Sequence, residues 1–223
     1  MSLLFILLVG FLVGMKHATE PDHVAAVATL ASGRQTLAQA LIQGAAWGVG
    51  HTITLLLLGS IVLALGKSIP PGMELALEFA VAVMLIALGG DVLLRLPRQN
   101  TDFHAHRCPT DDQQAQDHAR GLPLRALTVG MMHGMAGSAA LILLSLEAVE
   151  SHALGLAYIA LFSLGSIVGM ALLSVAMSVP LRFLAAARLV WLHKGATAAV
   201  GAFSCMLGIT MGWRVGVAGG MFS

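Results

Sequence analysis

The sequence predicts an all-α integral membrane protein of about six transmembrane helices, arranged as a 3+3 inverted repeat. Three observations carry this. Of 223 residues, 57% are hydrophobic and only 10% are charged, with a mean hydropathy of +0.86. Six apolar stretches each exceed strand length, so helices are the expected form. Short motifs in the first half recur, in order, in the second half. So few charges cannot give a soluble domain its polar surface. The composition therefore excludes a soluble enzyme, a nucleic-acid binder and a disordered chain. A formal charge of +1 carries no bias toward an acidic or basic partner.

The first stretch runs from Leu3 to about Leu30 and is interrupted by Lys16, Glu20, Pro21 and Asp22. Its start lacks a basic n-region and a cleavage site, so it reads as a retained span rather than a signal peptide. The second runs from Leu37 to Gly66 without an Asp, Glu, Lys or Arg, and the third from Met73 to Leu96 with Glu74, Glu78 and Asp91. A polar segment follows, then a fourth stretch from about Pro123 to Val149, a fifth from Ala153 to Pro180 and a sixth from about Gly195 to Val217. The basic amphipathic stretch Leu181–Lys194 lies between the last two and suits a membrane surface or a helix extension. The organisation expected is a first repeat over 1–96, a polar His-containing loop over 97–122 and a second repeat over 123–223. Cys108 and Cys205 lie too far apart in sequence for a CxxC pair and form no disulfide framework.

The recurrences are specific. Val13-Gly14-Met15-Lys16-His17 answers Val129-Gly130-Met131-Met132-His133. Val49-Gly50 answers Val168-Gly169, Leu88-Gly89 answers Leu207-Gly208, and Arg95 answers Arg214. Three helices per half place the second half in the bilayer upside down, a plan that puts a substrate site at the repeat interface. Lys and Arg in the short loops set orientation. One face carries Arg34, Arg95, Arg98, Arg107, Arg120, Arg125, Arg182, Arg188 and Lys194, and the other Lys67 and Arg214. The rich face is assigned to the cytoplasm of a plasma (inner) membrane, which leaves both termini outside and the 97–122 loop inside.

Charges at membrane depth are costly and mark a site or a pathway by default. His17-Ala-Thr-Glu-Pro-Asp-His23 is the densest such group. On a straight helix, His17 and His23 stand about 240° apart. Pro21 removes a helical hydrogen bond, so a break there would let His17, Asp22 and His23 converge; the alternative is a span that ends near Thr19, with Glu20 to His23 at an interface. His51 lies mid-way along the second stretch, among Gly44, Ala45, Gly48 and Gly50, which permit close helix contact. His133 is the repeat mate of His17. Imidazole with carboxylate suits borderline divalent ions such as nickel, cobalt, zinc or iron(II). Met15, Met131, Met132 and Met135 keep copper(I) in view. The candidate metal residues are thus His17, Asp22, His23, His51 and His133. Such ligands bind deprotonated, so affinity should fall in acid. In the loop, His104, His106, Cys108 and His118 form a second candidate set for metal capture, weighed against a plain solvated connector. Asp91 is the deepest remaining acid.

The segment Gly14–Val27, with its His-x4-Asp-His pattern, resembles the signature of the nickel/cobalt transporter family. Gly50-His51-Thr52 resembles that family's Gly-His-Ser/Thr motif. The chain is most similar to the compact six-helix members, which include urease-accessory-type permeases. The resemblance implies a permease for nickel or cobalt, with His17, Asp22, His23 and His51 on the metal path. It implies no enzyme activity and no prosthetic group, the metal being cargo. An exporter of the same fold, or an accessory subunit for metalloenzyme maturation without transport of its own, fits the same residues. The partners expected are the metal ion and the lipid bilayer, with a second copy of the chain or a metallochaperone as protein partners. The plan also resembles the thiol–disulfide conduits of cytochrome c biogenesis, but their cysteine pairs have no counterpart here.

Overall fold

The computed structural model describes residues 3–32, 36–65, 70–96, 111–135, 152–187 and 189–219. Among them are seven α-helices and no strand: α1 (Leu3–His17), α2 (Pro21–Ala31), α3 (Leu37–Leu65), α4 (Pro71–Arg95), α5 (Asp111–Gly134), α6 (His152–Ala186) and α7 (Val190–Trp213). A π-helical turn, Arg214–Ala218, continues α7. Four segments are long and apolar enough to cross a membrane: Leu37–Ile61, Gly72–Arg95, Gly155–Ala186 and Val190–Val217. Large apolar side chains such as Leu57, Leu94, Phe183 and Trp191 point outward from these helices. A water-soluble protein does not expose apolar surface on this scale, and the chain is a multi-pass membrane protein.

The first apolar stretch is two helices. α1 ends at His17, and Ala18–Glu20 make a turn in which the amides of Thr19 and Glu20 donate to the carbonyls of Lys16 and His17. Pro21 is the first residue of α2. There its missing N–H costs nothing and its fixed φ suits the helix. Pro21 thus starts a helix instead of kinking one. The fourth stretch differs from expectation in the other direction. α5 begins at Asp111, inside the segment read as polar loop, and passes through Pro123. Asp111 and Asp112 favour the positive end of the helix dipole, and the Gln and Ala residues that follow are good helix formers. Residues 136–149, the rest of that stretch, lie outside the described residues. The basic amphipathic stretch divides between the end of α6, which runs through Pro180, and the start of α7.

α3 lies between α5 and α6, α6 also packs along α1, and α4 pairs with α7. α2 sits against α4, α6 and α7. Glycine allows the closest approaches. A methyl at Gly50 would strike the Leu127 carbonyl, and one at Gly130 would strike that of Trp47. Likewise Gly165 abuts the Phe11 carbonyl and Gly14 that of Phe162. Between α4 and α7, Gly89 meets the carbonyl of Gly201 and Cys205, while Gly208 meets the carbonyl of Ala82 and Ile86. Beside them the Ser204 hydroxyl donates to the Leu85 carbonyl at 2.9 Å. A buried apolar cluster from Ala25, Val27, Trp47, Leu85, Val129 and Met170 closes the centre.

Candidate metal site

Four histidines from four helices meet in this centre. His17 ends α1, His23 lies in the first turn of α2, His51 is mid-way along α3 and His133 is in the last turn of α5. Their exposures are 4%, 1%, 0% and 2%. The turn at Ala18–Glu20 brings the His17 and His23 rings to 4.4 Å between centroids. His51 lies 5.3 Å from His17 and 5.4 Å from His23, and His133 lies 4.2 Å from His23.

Asp22 joins the two halves of the chain. His23 Nδ1 donates to Asp22 Oδ1 at 3.2 Å, and His133 Nε2 donates to Asp22 Oδ2 at 2.9 Å. Both donations assign the proton by the acceptor-only chemistry of a carboxylate. They leave the opposite nitrogens, His23 Nε2 and His133 Nδ1, as lone-pair donors. Neither has a partner among the described residues, nor does either nitrogen of His51, nor His17 Nε2. His17 Nδ1 lies 3.0 Å from Glu20 Oε1, but without hydrogen-bond alignment.

A buried polar atom left unpaired costs about 1–3 kcal/mol, so several in one cluster need an occupant. Two overlapping groups have donor atoms that all lie within 4.8 Å of one another: His17, His23 and His51, and Asp22, His23 and His133. His23 belongs to both. Imidazole with carboxylate is the donor chemistry of a borderline divalent cation. The carboxylate behind two imidazoles fixes their tautomers in the way outer-sphere acids do at metal centres.

All five residues singled out in the sequence therefore come together. Of the loop set, His104, His106 and Cys108 lie outside the described residues. His118 falls on α5 where the backbone alone is described. Asp91 stands apart from the cluster, bridging Arg95 Nε and Arg125 Nη2 at 2.7 Å each. Sequence reasoning missed Trp47. It is fully buried, and its ring lies 5.4 Å from that of His23 and 5.8 Å from that of His133. The signal was present, because Trp47 precedes His51 by one helical turn and so shares its face. Thr54, another turn on, brings its hydroxyl within 3.0 Å of the Met131 carbonyl and so ties α3 to α5.

Fold and site define a multi-pass helical membrane protein with a buried histidine–aspartate centre. The chain is 35% identical over 222 residues to the urease accessory protein UreH of Bacillus sp. (strain TB-90), covering 99% of this chain and 96% of that one. It belongs to the family of that urease accessory protein, which fits the nickel/cobalt transporter family that its motifs resemble. A more distant likeness, 27% over 176 residues, is to the chloroplast protein FOR GROWTH AND FERTILITY 1 of Arabidopsis thaliana, covering 72% of this chain and 46% of that one. No protein-family model matches the chain, and no solved structure does.

Proposed function

We propose that the chain carries a divalent transition-metal ion, nickel or cobalt, across a plasma (inner) membrane. The observation that carries this is the convergence of His17, His23, His51 and His133 around Asp22, buried and with imidazole nitrogens lacking a protein partner. Nickel and cobalt are placed ahead of zinc, iron and copper by the resemblance of the motifs, since imidazole with carboxylate suits each of these divalent ions. The ion sheds part of its water to enter a donor set built on His23, with Asp22 holding two of the rings. No catalytic step is assigned.

The carrier reading takes α1 with α2 as one broken span and α5 as another, giving six. Reciprocal contacts support the inverted repeat. Gly14 on the Phe162 carbonyl has its counterpart in Gly130 on that of Trp47, and Gly165 on Phe11 has its counterpart in Gly50 on Leu127. Exchanging the halves converts each contact into the other if Trp47-Gly-Val-Gly-His51 answers Phe162-Ser-Leu-Gly-Ser166. That register pairs Gly50 with Gly165 instead of Gly169. Between α4 and α7 the same exchange pairs Gly89 with Gly208, as the sequence motif does. Two such halves rocking about α3 and α6 give alternating access. The termini lie outside and the 97–122 segment, including the start of α5, lies inside, where its histidines and Cys108 meet the metal. Homo-oligomers and metallochaperones are the protein partners of this reading.

The test is nickel and cobalt accumulation in cells expressing the chain alone, wild type against His17→Ala. Equal accumulation in both refutes the assignment of the site. A rise with wild type means import and a fall means export. A second reading is favoured by the name of the relative from Bacillus: a membrane subunit in urease maturation that hands over nickel without transporting it. Metal binding by the purified chain without any change in cellular accumulation would select it.

A further inference from the structure

Exposure falls stepwise toward the cluster. The Glu20 side chain is 42% exposed, that of Asp22 24%, and that of His17 only 3%. The accessible edge of the site is thus the turn between α1 and α2, and Glu20 stands on it. Its Oε1 lies 3.0 Å from His17 Nδ1, yet that nitrogen has no hydrogen-bond alignment to any described atom. A pair held by a hydrogen bond would be aligned. Two ligands of one cation need not be. With metal–ligand distances of about 2.1 Å, ligands at a right angle are about 3.0 Å apart.

We propose that Glu20 and His17 Nδ1 form an outer metal station at the mouth of the cluster, from which a divalent transition-metal ion passes inward through His17. This rests on the metal-carrying reading above. The two nitrogens of an imidazole lie on opposite edges of the ring, so one ring serves two stations in turn. His17 Nε2 is buried and has no partner among the described residues. The exposed side supplies water for the remaining coordination positions, and the half-exposed carboxylate replaces the first of those waters at low cost. Glu20 then acts on the rate at which the ion reaches the inner donors, and little on how tightly they hold it.

That distinction is measurable without transport. Trp47 lies against the inner donors, whereas Trp191 and Trp213 are 74% and 68% exposed. In a Trp191→Phe/Trp213→Phe background, quenching of Trp47 by cobalt follows binding to the full chain in lipid nanodiscs. Stopped-flow mixing gives both rate constants. For Glu20→Gln, association and dissociation should each slow about tenfold, the scale of removing one group from a metal site, with Kd nearly unchanged. Glu20→Asp should recover part of both rates. Wild-type rates in Glu20→Gln overturn the proposal. So does a weakened Kd with unchanged association, which would make Glu20 a prop for His17. Either result leaves the inner site standing if His51→Ala abolishes the quenching. If wild type and His51→Ala behave alike, the metal-carrying reading itself fails.

Discussion

Asp22 Oδ2 and His133 Nε2 meet at 2.9 Å across 111 residues of sequence. The same carboxylate holds His23 Nδ1 through its other oxygen. One side chain thus locks an α5 ring and an α2 ring in complementary tautomers, and both turn a lone pair into the buried centre. Asp22→Asn keeps the shape but donates where the carboxylate accepted, so one imidazole must flip. Loss of an outer-sphere partner costs about 10–100-fold in metal affinity. Asp22→Asn should lose that much in equilibrium cobalt binding, and Asp22→Ala at least as much. Wild-type affinity in Asp22→Asn would show that the clamp is incidental to metal binding.

The α3–α5 contact depends on the absence of two side chains. A methyl at Gly50 or Gly130 meets a backbone carbonyl, which cannot swing away. Overpacking of this kind costs about 1–3 kcal/mol and shifts the backbone. Gly130→Ala should lower the thermal midpoint of the purified protein in detergent and displace His133, three residues on. Gly90→Ala is the control, since a methyl there meets nothing within 4 Å. Equal midpoints for the two variants would contradict the close packing.

Much of this centre was legible in the sequence, because ionisable residues are so costly in an apolar span that each one counts. His17, Asp22, His23 and His51 stand out on that ground, and His133 as the repeat mate of His17. What the sequence could not show was how the first stretch divides. A proline inside an apolar stretch suggests a break within a helix, whereas Pro at the first position of a helix is as favourable as Pro in its interior is unfavourable. Choosing between them required the turn at Ala18–Glu20. Trp47 escaped for another reason: an aromatic side chain in an apolar helix costs nothing and carries no signal by itself. The start of α5 at Asp111 was hidden by its polarity, which membrane-span reasoning scores against a helix although helix propensity does not.

Asp91 is a charge of the other kind. It is a third exposed and lies between Arg95 and Arg125 at the end of α4. Exposed ion pairs contribute about 0–1 kcal/mol, and among the described residues the partners of this group are Arg95 and Arg125, not the histidines. Asp91→Asn should leave cobalt affinity at the wild-type value and change stability by no more than about 1 kcal/mol. A loss of affinity comparable to that of Asp22→Asn would place Asp91 on the metal path after all.

Orientation has a direct chemical test in the two cysteines. Basic residues of short loops stay on the cytoplasmic side, and Arg95, Arg98, Arg107, Arg120 and Arg125 all flank or lie in the segment that holds Cys108. Replacing Cys205 by Ser leaves Cys108 as the single thiol. Cys205 is tucked between α4 and α7, with its Sγ 3.6 Å from the Ile86 carbonyl, so a substitution this small should be tolerated. In intact cells a membrane-impermeant maleimide should leave the Cys205→Ser protein unlabelled, and permeabilisation should expose Cys108. Labelling before permeabilisation would put the 97–122 loop outside and reverse the orientation. The direction read from metal accumulation would not change, but the loop histidines would then meet the ion on the opposite side of the membrane.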